Sequence, residues 1–504
     1  MTLSTRLQGL LKRVCPRKSR FTDGTSNTPP KMPHSLFSLP PELIVLVFEL
    51  LISDRENPMT PTSLSAVSRF FRTLVVGSPS LWSYLLVDAP SLSHPQHLEL
   101  YLRRSASHPL DILIDIRDPV WNWSEESHCF QFNELYTALE MLISHCTQWK
   151  RFEMLSDTWK PIHDFLLRTQ SITVPNLEVL SLTRANVYFA RYRQTFMPAN
   201  LAAPLSLFGG ASTPLLRSIA LAGVHMEWAQ PPFHNLTTLE LRYHSLQVMP
   251  SLQQFGAICD SCPDLRNLTI MGWGPQLPPT SSNAGSGIFV LPRLTSFSFG
   301  YVNVEYAIRL LILFNLPSLR KLTIENLQKL VYNDTTATDD TPLLQWFVAS
   351  PTQAQASPFL PYNPRALPVP DVTHLNINDI GAQQAILASF VRRFTSLTHL
   401  SCHSVSHDTI TAILHGAQHS LAGMHGNSQG SIQEIRCRNV EPASLLSFVH
   451  ASAQAGLPIP AGMIVLEIRD RDGMITESSS STASTSSSMT DSLIQAGIKV
   501  VRFI

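Results

Sequence analysis

Residues 263–270, with the sequence Pro-Asp-Leu-Arg-Asn-Leu-Thr-Ile, show the pattern that recurs most often in this chain of 504 residues. Leu265, Leu268 and Ile270 follow the spacing apolar-x-x-apolar-x-apolar. Leu268 and Ile270 are two residues apart, so they point to the same side of an extended chain, and the residues between them point to the other side. The segment therefore predicts a short β-strand with one buried face.

The same pattern returns along most of the chain at irregular intervals, from 20 residues (Leu216 to Leu236) to 53 residues (Leu319 to Val372). Segments between the copies, such as residues 304–314, have apolar residues at helical spacing. A strand followed by a helix, repeated many times, predicts an α/β protein whose units bury their apolar faces against one another. The copies are residues 175–182, 214–221, 236–241, 263–270, 292–299, 317–324, 372–377, 397–402, 432–437 and 463–468, with residues 149–154 and 498–503 as further candidates.

This pattern resembles degenerate leucine-rich repeats, which recur at about 20–29 residues. The resemblance implies a solenoid in which the intervening residues of the strands form one outward, ligand-binding face. An ordinary α/β sheet built from βαβ units is the alternative that the same pattern leaves open.

A second informative segment is residues 39–51, Leu-Pro-Pro-Glu-Leu-Ile-Val-Leu-Val-Phe-Glu-Leu-Leu. Proline at the first helical positions and Glu42 in the first turn favour the start of a helix. The apolar residues lie almost all round this helix, which indicates that it is covered on more than one side. A second block at residues 64–75 and a third at residues 79–82, Pro-Ser-Leu-Trp, follow.

In order and spacing these three blocks resemble the F-box, over residues 36 to about 85. The chain departs from the family at Ser68 and Phe71, where Cys and Trp are frequent, and in the linker of residues 52–63. F-box helices bind a small Skp-type adaptor, which links them to a cullin–RING ubiquitin ligase. The resemblance implies adaptor contacts at Leu39, Pro40, Glu42, Leu43, Ile44, Val47, Phe48, Leu51, Leu64 and Val67.

We therefore predict an α/β fold in which a short all-α F-box is followed by a leucine-rich-repeat solenoid. The predicted organisation is a disordered basic tail and linker over residues 1–35, an F-box over 36–90 and a solenoid over 91–504. The solenoid carries disordered insertions near 272–287, 332–370 and 477–490, which are rich in Gly, Pro, Ser or Thr. The first 22 residues contain Arg6, Lys12, Arg13, Arg17, Lys18 and Arg20 and no acid, so a presequence, a nuclear address and a membrane-surface helix also remain open.

Composition restricts the partners. The formal net charge is zero, so the whole chain offers no electrostatic footprint for nucleic acid. No stretch approaches the roughly 20 apolar residues that span a bilayer. The seven cysteines are scattered, which favours a reducing compartment. We expect an intracellular protein, cytoplasmic or nuclear.

The sequence offers no motif for catalysis. No P-loop, dinucleotide fingerprint, nucleophile elbow or paired metal motif is present. Cys259 and Cys262 form a single Cys-x-x-Cys without a second pair, so structural thiols are the better interpretation. His399, Cys402 and His403 lie on a predicted strand that sends the cysteine to the opposite side. We expect no catalytic residue, no metal and no cofactor.

The outward strand residues are polar and of both charge signs, which suits a protein target better than a phosphate backbone. A solvated face without any ligand is the alternative for each of them. The candidate target-binding residues are Glu240, Arg242, Lys321, Glu325, His374, Asn376, His399 and Arg436.

Together the two resemblances predict a substrate-recognition subunit of a Skp–cullin–F-box ubiquitin ligase, without catalytic residues of its own. The alternative is a leucine-rich-repeat scaffold or binding protein that is not engaged in ubiquitination. An exposed face formed by Leu43, Val47 and Phe48 favours the receptor, and burial of that face within the chain favours the scaffold.

Overall fold

The structure is a computed structural model. It describes residues 39–53, 59–88, 94–118, 120–121, 132–184, 191, 195–229, 233–278, 289–332, 339–348, 369–422, 432–454, 459–469 and 490–503. The predicted basic tail over residues 1–35 and nearly all of the predicted insertion at 477–490 lie outside these residues.

The first described elements are the helices α1 (Pro41–Ser53), α2 (Thr60–Val67) and α3 (Arg69–Val76), followed by a 3₁₀ turn at Pro79–Trp82. Proline in the first turn of α2 is compatible with helix initiation because the first N–H groups have no partner in the helix. The Ser68 hydroxyl then accepts a hydrogen bond from the backbone N–H of Phe71 and caps α3. These local signals explain why α2 ends and α3 begins as a separate helix.

Fourteen strands of the described chain form one sheet whose spatial order is the chain order, and every pair with a described register is parallel. Two short strands form a separate parallel pair. The fourteen strands are β1 (Tyr84–Asp88), β2 (Leu110–Asp115), β3 (Trp149–Ser156), β4 (Val179–Arg184), β5 (Ser218–Ala222), β6 (Thr238–Arg242), β7 (Asn267–Met271), β9 (Ser296–Tyr301), β11 (Lys321–Asn326), β12 (His374–Asn378), β13 (His399–His403), β14 (Glu434–Arg438), β15 (Ile464–Arg469) and β16 (Lys499–Phe503). The separate pair is β8 (Phe289–Val290) and β10 (Phe314–Asn315).

Helices connect many of the strands, as parallel pairing requires. Their lengths differ from one connection to the next, which matches the irregular intervals of the sequence pattern. They are α4 (Pro95–Ser105), α5 (Phe132–Ile143), α6 (Lys160–Arg168), α7 (Leu252–Ser261), α8 (Val304–Leu311), α9 (Gln328–Tyr332), α10 (Thr341–Val348), α11 (Gln384–Arg392), α12 (His407–Ala422) and α13 (Pro442–Gln454).

A row of backbone carbonyls fixes the register of the strands where they begin. The carbonyl of Arg320 accepts the N–H groups of Thr373 and His374 at 2.8 and 3.0 Å. The carbonyl of Thr373 accepts those of Thr398 and His399 at 2.9 and 3.0 Å. Because each carbonyl receives two donors from the following strand, a slip of one residue would break both bonds, and the alternation of inward and outward residues is held constant.

The core consists of apolar side chains that stack in register from strand to strand. One such row is Leu268, Phe297, Leu322, Leu375, Leu400 and Ile435. Each of these six side chains is at most 1 % exposed, so this part of the inward face excludes water.

The chain divides into two compact units. The first contains the described residues up to Asp157, together with residues 171–180 and 212–215. The second contains residues 158–170, 181–211 and the described residues from Leu216 onwards. No helix in the described ranges is both long enough and apolar enough to cross a membrane.

The α/β class predicted from the sequence is confirmed, but the finer prediction of an all-α F-box followed by a leucine-rich-repeat solenoid is wrong. The region predicted as an all-α F-box contains β1, which pairs with β2 in the sheet. The rest of the chain contributes to one 14-stranded parallel sheet with helices, as in the alternative of βαβ units. The physical reason is that apolar alternation specifies a strand and its buried face, and any parallel sheet satisfies it.

Parts of the predicted insertions lie within the described ranges. Residues 272–278 include Trp273, whose side chain is buried. Helix α10 falls inside the predicted insertion at 332–370, and the buried Asp340 immediately before it accepts hydrogen bonds from the Tyr301 hydroxyl and the Gly381 N–H. Burial raises the pKa of the Asp340 carboxyl. This network joins segments that are far apart in sequence, which composition does not reveal.

Candidate functional site

Helix α1 has one apolar face turned inward and another turned outward. Ile44 and Phe48, four residues apart, are 0 % and 1 % exposed. The Phe48 ring packs edge-to-face on Phe71 of α3 with centroids 5.1 Å apart. This inward face anchors α1 in the first unit.

A row of leucines, which we call the leucine stripe, begins at Leu39 just before α1 and continues on the outward face of the helix with Leu43, Leu46 and Leu50. Their exposed fractions are 37, 46, 51 and 57 %. Successive members are three or four residues apart, so they follow one side of the helix. Four neighbouring exposed leucines form a patch of the kind found at protein interfaces.

The residues predicted to contact the adaptor divide between these two faces. Ile44, Phe48 and Leu64 are buried within the chain, so they support the surface from below. Val47 and Leu51 are half-buried. The exposed members are Leu39, Pro40, Glu42, Leu43 and Val67. Sequence periodicity did not single out Leu46 and Leu50, because an all-round apolar helix gives no signal for which side its neighbours cover.

Polar contacts hold the elements around α1 in place. The Ser80 hydroxyl donates to the Glu49 carboxylate at 2.6 Å, linking the 3₁₀ turn to α1. The indole N–H of the buried Trp82 donates to the Val75 carbonyl at 2.7 Å, and the Arg104 guanidinium lies 4.4 Å from the centre of the Trp82 ring. The leucine stripe is therefore carried by a well-fixed helix.

The second candidate surface is the outward face of the strands in the second unit, which we call the strand face. All eight predicted target-binding residues lie on it, and each is half-buried or exposed. Lys321, His374 and His399 occupy one row across three neighbouring strands. In the next row, the Asn376 amide donates to the Thr323 hydroxyl at 2.9 Å. The pairing of the strands thus brings together residues that are up to 78 positions apart in the chain (321 to 399).

Charges on the strand face neutralise one another locally. Arg242 donates to Glu240 at 2.7 Å, and Arg436 binds both Glu434 and Glu467, at 2.8 and 3.1 Å. These hydrogen bonds and charges, led by the hydrogen bond to Glu434, raise the pKa of the Arg436 guanidinium. The face presents hydrogen-bonding groups without a strong net field, which matches a protein partner better than a polyanion.

A cavity of about 450 Å³ lies at the carboxyl ends of β13, β14 and β15. Its polar lining comes from His403, Arg438, Asn439 and Glu467, and Val440 contributes apolar surface. None of these residues is among the eight candidate target-binding residues predicted from the sequence. Ligand sites are common at the carboxyl ends of parallel strands. This rule is the signal by which the cavity could have been predicted from the sequence.

The described residues contain no group of three or more His, Cys, Asp or Glu side chains arranged to hold a metal ion. Cys259 and Cys262 are free thiols in the core, and burial raises the pKa of both. Cys402 is likewise buried, on the opposite side of β13 from His399 and His403. Thiols in apolar surroundings are poor nucleophiles and poor ligands, so this part of the chain gives the cysteines a packing role.

A scan of this chain against protein-family models and a search of curated proteins both found no match.

Proposed function

We propose that this chain is a substrate-recognition subunit of a Skp–cullin–F-box ubiquitin ligase. Its leucine stripe binds a Skp-type adaptor, and its strand face binds the protein to be modified. The chain supplies no catalytic group in this scheme. It acts by proximity, because binding adaptor and target on one chain raises the effective concentration of target lysines near the ligase's loaded enzyme.

The observation that carries the proposal is the exposure of the leucine stripe on a helix whose opposite side is anchored in the core. Two members of the stripe, Leu39 and Leu43, lie within the segment that resembles the opening of an F-box, at residues 39–44, and Leu46 and Leu50 follow it on the same helix. An adaptor that covers the stripe would remove apolar surface from water. Full burial of a leucine side chain contributes about 1.5–3 kcal/mol, and these half-covered leucines retain roughly half of that, about 1 kcal/mol each.

The test is co-purification of the full chain with a Skp-type adaptor, followed by measurement of the dissociation constant. We expect the double variant Leu43→Asp/Leu46→Asp to bind at least about 100-fold more weakly, since it removes apolar contact and places two carboxylates at the interface. Both positions are exposed, so the variant keeps the fold. Phe48 is unsuitable for this purpose because a carboxylate at its position would be buried.

Leu167→Asp is the matched control. Leu167 is 53 % exposed on α6, so it has the same residue type, secondary structure and degree of exposure as the stripe. We expect adaptor binding by this control to equal that of the parent. A parent that is folded but captures no adaptor, or a stripe variant that binds as well as the control, refutes the proposal.

A second candidate is a scaffold or binding protein outside ubiquitination. The burial of Phe48, Ile44 and Leu64 within the first unit favours it, because these residues already have partners in the chain. The same co-purification decides between the two. Failure of the folded parent to capture an adaptor leaves the strand face as the binding surface of a protein with no ligase role.

A further inference from the structure

Two histidines on the strand face stack in parallel. The rings of His374 on β12 and His399 on β13 have centroids 4.3 Å apart and planes inclined by 3°. Their Cα atoms are paired across the two strands, and each is followed by an inward-pointing leucine in the core. The position of both rings is therefore fixed by the sheet.

The residue before each histidine contacts the ring at Nδ1. The Thr373 hydroxyl lies 2.9 Å from Nδ1 of His374, and the Thr398 hydroxyl lies 2.9 Å from Nδ1 of His399. Each hydroxyl also lies close to a backbone carbonyl, that of Arg320 at 3.2 Å and that of Thr373 at 3.0 Å. A hydroxyl has one proton, so it donates to the ring or to the carbonyl.

Each carbonyl already accepts two backbone N–H groups from the next strand, whereas Nδ1 of each ring has no other donor among the described residues. The hydroxyl proton is then best donated to Nδ1, and this choice leaves the proton of each neutral ring on Nε2. Thr373 and Thr398 are thus positioning residues that set the tautomer.

The two Nε2–H groups point away from the threonines, toward the open side of the face. Among the residues that the structure describes, neither Nε2 atom is buried or has a hydrogen-bond partner. A shared metal ion does not fit them. The lone pairs of parallel rings 4.3 Å apart run side by side, and they cannot converge on one ion about 2 Å from each nitrogen.

We propose that the Nε2–H groups of His374 and His399 together bind a carboxylate, that of an Asp or Glu side chain on a protein partner. The two parallel donors match the two oxygens of a carboxylate. Lys321, in the same row on β11, adds a positive charge beside His374. The identification of the partner as a ligase target rests on the proposed function. The carboxylate-binding chemistry of the site is independent of that function.

The charged groups around the pair favour a carboxylate over a phosphate. On β14, Glu434 lies next to His399 and is held by Arg436, whose guanidinium also binds Glu467. Before β11, Arg320 lies 4.0 Å from Asp371. Lys321 is therefore the nearest cation without a described acid partner, and phosphate recognition generally needs several cations or a bidentate Arg.

The site has a defined response to pH. Partial burial, then the neighbouring His399 and Lys321, lower the pKa of His374 below its ordinary value. The ring is accordingly neutral at pH 7, and a bound carboxylate would favour its protonation. Binding should therefore strengthen as the pH falls below 7, until the carboxylate itself is protonated.

The test uses the full chain with ¹⁵N-labelled histidine and two blocked peptides, acetyl-Glu-Glu-Glu-amide and acetyl-Gln-Gln-Gln-amide, at constant ionic strength. We expect saturable shifts of the His374 and His399 ring resonances with the Glu peptide, and at least ten-fold weaker binding of the Gln peptide. His399→Phe keeps a stacked ring but removes one donor, and should weaken binding at least ten-fold. His450→Phe, at an exposed position on α13, is the matched control and should bind like the parent.

Thr398→Val tests the positioning role. The ring ¹⁵N shifts of His399 should show the Nε2–H tautomer in the parent and a mixture of tautomers in the variant. An Nδ1–H tautomer in the parent, equal binding of the two peptides, or at least ten-fold tighter binding of inorganic phosphate would overturn the proposal. No adaptor is present in this experiment, so its result is independent of adaptor capture.

Discussion

The leucine stripe and the strand face are both candidate binding surfaces, but the first is apolar and the second is polar. The stripe is a row of apolar side chains on one helix. The strand face is a set of polar side chains on neighbouring strands, in which charges are mostly neutralised, as in the pair of Glu240 and Arg242. A partner gains affinity on the stripe mainly through removal of apolar surface from water. On the strand face it gains specificity, because polar groups left unmatched are costly.

The two surfaces also differ in how closely their side chains are connected to the residues that stabilise the fold. The residues directly under the stripe, such as Phe48, belong to the core, so the stripe can be altered only on its outer side. The strand face lies over a core row that the backbone ladder holds independently of the outward side chains. Outward residues are therefore free to diverge, and the three experiments below examine this contrast.

The largest effect is expected from Phe48→Ala. Phe48 is 1 % exposed and packs on Phe71, so its loss leaves a cavity, and we expect the unfolding free energy of the first unit to fall by about 3–5 kcal/mol. Leu46→Ala, two residues away on the outer side, should change it by less than about 0.5 kcal/mol. Urea unfolding of both variants measures the contrast. Equal effects would mean that α1 does not have separate core and partner sides.

An intermediate effect is expected from a buried histidine that contrasts with the half-buried pair His374 and His399. His244, after β6, is 0 % exposed, and neither of its ring nitrogens has a hydrogen-bond partner among the described residues. Burial, then the neighbouring His225, lowers its pKa to about 3. The unfolded chain binds a proton at the ordinary pKa of about 6.5, whereas the folded chain does not, so stability falls as the pH drops below about 6.5.

The loss from this one group should be about 2 kcal/mol between pH 7 and pH 5, at about 1.4 kcal/mol per pH unit below its ordinary pKa. His244→Leu should remove this part of the pH dependence and, at pH 7, should not destabilise the chain, because it replaces an unsatisfied polar ring by an apolar group of similar size. Urea unfolding at both pH values measures it, with His450→Leu as the control. An unchanged pH dependence in His244→Leu would contradict the assignment.

The smallest effect is expected from Arg242→Gln on the strand face. The side chains of Arg242 and Glu240 are 41 and 30 % exposed, so their ion pair is screened by solvent. We expect a change in unfolding free energy of less than about 0.5 kcal/mol. Thermal unfolding measures it, and a loss above about 1.5 kcal/mol would show that the strand face is structural and not free to serve a partner.

Most strands were predicted correctly from the sequence, but their pairing and packing were not. The apolar-x-x-apolar-x-apolar copies coincide with β4–β7, β9 and β11–β15, because alternation is a local property that burial on one face imposes. β1 and β2 were missed. β2 does show alternation at Leu110, Ile112 and Ile114, but it lacks the preceding apolar residue of the repeated pattern.

For the candidate surfaces, too, the local features were predicted from the sequence and the contacts between distant segments were not. The outward residues of the strands followed from period two alone, so Lys321, His374 and His399 were identified. Their assembly into one row depends on pairing between strands, which no local pattern records. On α1 the reverse held. An apolar helix was evident, but the side that faces the core was not, so Phe48 was placed with Leu43 on the adaptor surface.

By itself, the sequence determined the alternation of strands and helices over most of the chain, the inward and outward faces of the predicted strands, and the helical blocks within residues 39–82. These are local properties, fixed by the stereochemistry of the chain and by which residues avoid water. The tertiary structure decided that the strands form one parallel sheet in chain order, that the leucine stripe is the exposed side of α1, and that the rings of two histidines 25 residues apart (374 to 399) stack on neighbouring strands. These features depend on contacts between distant segments, whose geometry is set by the packing of the whole.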